Sequence, residues 1–183
     1  MESGTAETST QANGVANGAG VPEAETLDVL NPATGALIET IAVDSPQLVA
    51  DTVARVRANQ AEWEALGIEG RYFWLGKLRD WMLDNAARIG DTMQAETGKV
   101  RADATTETLY LTDLINFYGA KAEKFIGDES VRPHSPLLAS KKLTVQYRPY
   151  PVVGIISPWN FPLTLALGDA IPALQAGAAV VIK

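Results

Sequence analysis

A chain of 183 residues that is 46% hydrophobic, 20% charged and 7% aromatic has the make-up of a globular protein, with length for one sizeable core or for part of a larger one. Its net charge of −7, with no run of Lys and Arg, argues against nucleic acid or an anionic membrane as the main partner. It holds no cysteine, hence no disulfide framework, which suits a cytoplasmic location, and no thiol nucleophile.

No basic stretch followed by an apolar one opens the chain, so no secretory leader is expected. Residues 1–26 contain four Glu, no Lys or Arg and no aromatic residue; so little apolar surface predicts a disordered tail. Order is expected from Leu27, where "LDVLNPATGALIETIAV" sets apolar runs on both sides of a Pro/Gly turn and predicts a β-hairpin over 27–43. Ser45 before Pro46 is a helix start, and Val49, Val53, Val56, Trp63 and Leu66 follow at helical spacing. Leu75, Leu78 and Met82 mark a second helix. Ile89 and Met93 mark a third, closed by Gly98 in "ETGK". Leu111, Leu114, Ile115, Tyr118, Ala122 and Phe125 trace a long fourth. Trp63, Trp74 and Trp81 are read as core packing, and the charged residues of these helices as solvated faces.

After a loop rich in Gly, Pro and Ser, "LTVQYR" alternates apolar and polar residues and predicts a half-exposed strand near 141–148. "VVGII" is apolar throughout, as a parallel strand covered on both faces is. A helix from Pro162, kinked at Pro172 and ended by Gly177, leads to the buried strand "AAVVIK", which completes one βαβ unit. The longest uncharged run, Pro149 to Gly168, approaches the length of a membrane span, but Pro149, Pro151, Pro158, Pro162 and Asn160 exclude one continuous helix there.

Ligands of open parallel sheets bind beyond the carboxyl ends of the strands. Ser157 to Asn160 follow the first strand of the unit and Lys183 ends the second, so both fall at one edge. No GxGxxG is present. Lys183 can donate to a ribose or phosphate, or simply be solvated. Asn160, restricted by Pro158 and Pro162, can offer its amide to a developing oxyanion, or it can cap the helix that begins near Pro162.

The block "GIISPWNFPL" followed by "PALQAGAAVVIK" resembles the aldehyde dehydrogenase superfamily, as do "NPATG", "ETGK" and the helix-rich stretch between them, over residues 27–183. The step of 23 residues from Asn160 to Lys183 is the family's own. The resemblance implies an α/β fold: the N-terminal part of a Rossmann-type cofactor domain, consisting of hairpin, helices and first βαβ unit. It implies NAD or NADP as cofactor and oxidation of an aldehyde to a carboxylic acid. By it, Asn160 would be the side-chain donor of the oxyanion hole. Ile156, Ser157 and Trp159 would line the cofactor site, and Lys183 would bind the adenosine ribose. It further implies that "KKLTVQYR" is an arm strand pairing with another subunit of a homo-oligomer.

Pro151 stands where the family usually has Gly, and Ala178 where it often has Asn, which suggests altered turns. The family's nucleophilic Cys and general-base Glu lie downstream of Lys183. The chain is therefore expected to be an N-terminal portion lacking the catalytic domain, inactive alone and prone to aggregate; a non-catalytic binding or oligomerisation module on the same fold is the alternative. His134, the only histidine, is expected in an exposed loop; Glu96 is given a structural role; no metal-ligand spacing exists. No particular aldehyde is indicated.

Overall fold

The computed structural model describes residues 25–183, so most of the predicted tail lies outside the described residues. Strands β1 (Thr26–Leu30) and β2 (Leu37–Ala42) form the expected antiparallel hairpin. Its turn is held by Asn31, whose side-chain oxygen accepts from the N–H groups of Ala33 and Thr34 at 2.9 and 3.1 Å.

Four helices follow: α1 (Pro46–Ala65), α2 (Gly67–Asp84), α3 (Ala86–Thr97) and α4 (Arg101–Ile126). Ser45 caps α1, its Oγ accepting from the Leu48 N–H at 3.1 Å, and Gly98 ends α3 at φ +71°. Helix α5 (Pro162–Ala176) then joins strand β5 (Val152–Ile155) to β6 (Ala179–Ile182), which pair in parallel from Val152↔Ala179 to Ile155↔Ile182. Pro172 lies inside α5, and Gly177 turns the chain into β6 at φ +106°. Both α1 and α5 pack on this strand pair.

The core sits where α2, α4 and α5 meet, around Leu75, Met82, Leu111, Ile115 and Ile171. Helices α2 and α4 approach closely at Gly119, where a Cβ would stand 2.1 Å from the Tyr72 ring.

Four expectations are corrected. Trp74 and Trp81 are about half exposed, because each precedes a residue of the buried Leu75–Met82 stripe and is rotated off it. Trp63 is half-buried, its indole N–H donating to the Leu174 carbonyl at 2.9 Å. Second, the helix charges are not all solvated: Arg71 and Glu107 are buried. Third, in the segment 141–148 only β4 (Leu143–Val145) is strand. It pairs with β3 (Glu129–Val131), inside the stretch that composition marks as loop, and both strands are exposed throughout because a two-stranded ribbon has no layer over its faces. Fourth, β5 and β6 are only partly covered. Ile155 is buried, but most of their residues are half-buried and Gly154 and Ile182 are exposed, since a pair of strands leaves both outer edges open.

Candidate functional site

The parallel ladder runs one step past both strands. Lys183 N–H donates to the Ile155 carbonyl at 2.8 Å, and Ser157 N–H donates to the Lys183 carbonyl at 3.1 Å. Ser157 and Lys183 are thereby fixed side by side at the carboxyl edge of the pair. Ile156 and Trp159 flank Ser157 and are more than four-fifths exposed. The Ser157 hydroxyl turns back on its own loop, donating to the Pro158 and Pro162 carbonyls at 3.3 Å.

The chain bends through Pro158–Phe161 and enters α5 with Phe161 as the N-cap residue. Asn160 is exposed, and among the described residues no hydrogen bond engages its side chain, so it does not cap the helix. The cap comes instead from another element: Oε2 of Glu107, on α4, accepts from the Thr164 N–H at 2.9 Å. The other carboxylate oxygen pairs with Lys99, whose ammonium stands 3.9 Å from the centroid of the Phe161 ring. The amide of Asn160 is left free at the strand end, in a turn bounded by two prolines and fastened from behind by an ion pair.

The far end of α5 is tied down by Arg71. Its Nε donates to the Gln175 carbonyl at 2.9 Å and its Nη1 to the Glu64 carbonyl at 2.7 Å, joining the last turns of α5 and α1. Burial lowers the guanidinium's pKa, against which the Glu64 carboxylate raises it. Gln175 adds a bond from Nε2 to the Ile68 carbonyl at 3.0 Å.

The proposed cofactor and oxyanion residues Ile156, Ser157, Trp159, Asn160 and Lys183 thus gather at one edge of the sheet. Glu96 lies on the wall of a cleft of about 370 Å³ between α3 and the first turn of α5, which Pro162 and Leu163 also line. His134 is exposed in its loop, as expected. Among the described residues no group of His, Cys, Asp and Glu is arranged to hold a metal ion. Sequence reasoning missed Lys99, Glu107 and Arg71. A signal existed for Glu107: it interrupts the stripe Ala104, Leu111, Ile115, where a charge is either an error of register or a buried partner.

At this edge Lys183 is exposed at the end of one strand, and the apolar side chains of Ile156 and Trp159 are exposed after the other. Among the described residues, no helix is long and apolar enough to cross a membrane.

Comparison with known proteins identifies the family. The model of the aldehyde dehydrogenase family matches residues 21–183. A Mycobacterium ulcerans protein named "Putative succinate-semialdehyde dehydrogenase [NADP(+)] 2" is 37% identical over 150 residues, covering 82% of this chain and 29% of its own. The crystal structure of lactaldehyde dehydrogenase from Escherichia coli superposes with a TM-score of 0.81 at 29% identity, over 89% of this chain and 33% of that one. That of PnpE in complex with nicotinamide adenine dinucleotide gives a TM-score of 0.79 at 31% identity, over 87% and 32%. The chain spans about a third of the length of these relatives. With the family model matching all of the described residues, and these structures sharing its fold, the chain belongs to the aldehyde dehydrogenase family.

Proposed function

We propose that the full-length protein carrying this chain oxidises an aldehyde to a carboxylic acid with NAD or NADP, and that this segment supplies the oxyanion donor and one wall of the cofactor site. The observation that carries the reading is the free amide of Asn160 at the carboxyl end of β5, beside the edge that Ser157 and Lys183 form together. The names of the relatives, an NADP(+) enzyme and a protein solved with the dinucleotide, support the cofactor.

The dinucleotide, when bound, accepts a hydride from the substrate carbon. The chain's own residues bind and orient. Lys183 donates from its ammonium to the adenosine ribose hydroxyls, and Ile156 and Trp159 give the cofactor an apolar bed while Ser157 contributes backbone. Asn160 donates an N–H to the substrate oxygen as negative charge grows there, from a direction that Pro158 and Pro162 limit beforehand. Charge on that oxygen develops only when a nucleophile adds to the carbonyl, so the donor acts on the transition state more than on bound aldehyde. The 183 residues contain no thiol, and by the family resemblance the nucleophile and general base come from sequence beyond Lys183. Segment 141–148 serves as an arm, with β4 pairing to another subunit, and the protein works in the cytoplasm; the exposed apolar Leu143, Val145 and Tyr147 support the first of these.

The test is steady-state turnover of the full-length protein. Asn160→Ala removes one oxyanion donor and is expected to lower kcat by about two to three orders of magnitude while the KM for dinucleotide stays within a few fold. Unchanged turnover in that variant rejects the role.

A further inference from the structure

We propose that Glu107, held by Lys99, is a positioning residue for the Asn160 amide. The inference rests on the reading of Asn160 as the oxyanion donor and adds the residues that aim it.

Glu107 is 2% exposed and uses both carboxylate oxygens, one on the Lys99 ammonium and one on the Thr164 N–H. Thr164 lies in the first turn of α5, four residues beyond Asn160, so this bond fixes where the helix begins and how the turn enters it. Lys99, in contact with Glu107, also reaches the turn through the ring of Phe161, the residue that follows Asn160. Lys99 is itself anchored: its carbonyl accepts from Gln94 Nε2 and its N–H donates to Thr97 Oγ1, both at 3.3 Å, after the left-handed turn at Gly98.

Two charges taken out of water make a poor source of stability, since desolvation consumes most of their attraction. They make a good source of geometry, because a carboxylate that satisfies an ammonium and a backbone N–H together has little freedom left. Asn160 has no hydrogen bond of its own to direct it among the described residues, so its aim depends on the backbone either side. Pro158 restricts the backbone before it. Glu107 and Lys99 restrict what comes after.

A double-mutant cycle in the full-length protein separates aim from general stability. Glu107→Ala is expected to lower kcat about tenfold with the KM for dinucleotide within twofold, as a misdirected donor would. In the Asn160→Ala background, the same change should cost less than about twofold, because no amide remains to be aimed. Glu107→Gln keeps an acceptor for the Thr164 N–H without the charge and should fall between wild type and Glu107→Ala. If Glu107→Ala gives no soluble protein, Glu107→Gln carries the cycle, with a loss of about threefold in the wild-type background and none in the other. A loss of equal size in both backgrounds, or none in the single variant, overturns the positioning role while leaving Asn160 as the donor. If Asn160→Ala itself turns over normally, the functional reading falls and the inference falls with it.

Discussion

Arg71 gives the sharpest quantitative test of how the βαβ unit is joined to the helices. Replacing it with Met keeps most of the side-chain volume and removes the guanidinium that bonds to the Glu64 and Gln175 carbonyls. Each hydrogen bond from a charged donor contributes about 1.5–3 kcal/mol, so the pair contributes roughly 3–6 kcal/mol. Burying the guanidinium has a cost that Met escapes, and the lowered pKa of Arg71 has burial as its leading cause. Offsetting the two leaves a net loss of about 2–4 kcal/mol, confined to the junction of α1, α2 and the end of α5. Native-state hydrogen exchange reads this locally. The amides of Gly177 and Ala178, which donate to Leu174 and Ala173 at 3.0 Å, report on the last turn of α5. Their exchange in Arg71→Met should be faster by roughly 30-fold to 1,000-fold, while the β1–β2 hairpin keeps its rates. Arg71→Lys, with a point charge that cannot span both carbonyls, should recover about half of the lost free energy. An acceleration under threefold in Arg71→Met would show that water replaces the guanidinium at no cost and that the clamp is incidental.

Two further outcomes follow from single contacts. Gly177→Ala forces a side chain onto φ +106° and sets its Cβ 3.3 Å from Pro149 and 3.5 Å from the Arg71 guanidinium; it should cost about 1–3 kcal/mol and lower the thermal midpoint by several degrees, and an unchanged midpoint would refute the constraint. The Tyr147 hydroxyl donates to Glu129 Oε1 at 2.9 Å, which raises the phenol's pKa above its ordinary value of 10.0, chiefly through that hydrogen bond. The contact's contribution is complete below pH 10 and is lost as pH rises through the raised value; an NMR titration of the Tyr147 ring should show the elevation in wild type and its disappearance in Glu129→Gln.

What the sequence disclosed was local chemistry and long periodicity. The Asn31–Gly35 turn, the Ser45–Pro46 start and the glycines at 98 and 177 each act through neighbours a few residues away, and each sits where its chemistry demands. Helices α1 and α4 carry their apolar repeats over three turns or more, and α2 and α3 over one or two. Strand β3, three residues long, shows no period at all. The buried Glu107 was marked by its place in an apolar stripe, but its partners, like those of Arg71, were harder to read. Each has one partner near in the chain, Lys99 or Glu64, and another 57 or 104 residues away, and nothing in a helix's own pattern says that a distant carbonyl or N–H will meet its charge. Asn160 lay between: its isolation by two prolines marked it, but only the distant cap on α5 reveals that the amide is unoccupied.

The parallel ladder that ends at Ser157 and Lys183 has a bearing on how this segment can change length. Both residues are hydrogen-bonded into the same pair of strands, so the span between Ser157 and Lys183 is a property of the sheet and not of the chain connecting them. The connection runs through α5, whose Leu163, Leu167, Ile171 and Leu174 all face the core. Deleting one residue from that helix would rotate everything after it by about 100° and carry half of this row into solvent. The strands could keep their places only with the helix unseated. Within α5 the interval is thus quantised, changing only by whole turns of helix, whereas the exposed bend before Pro162 can gain or lose single residues.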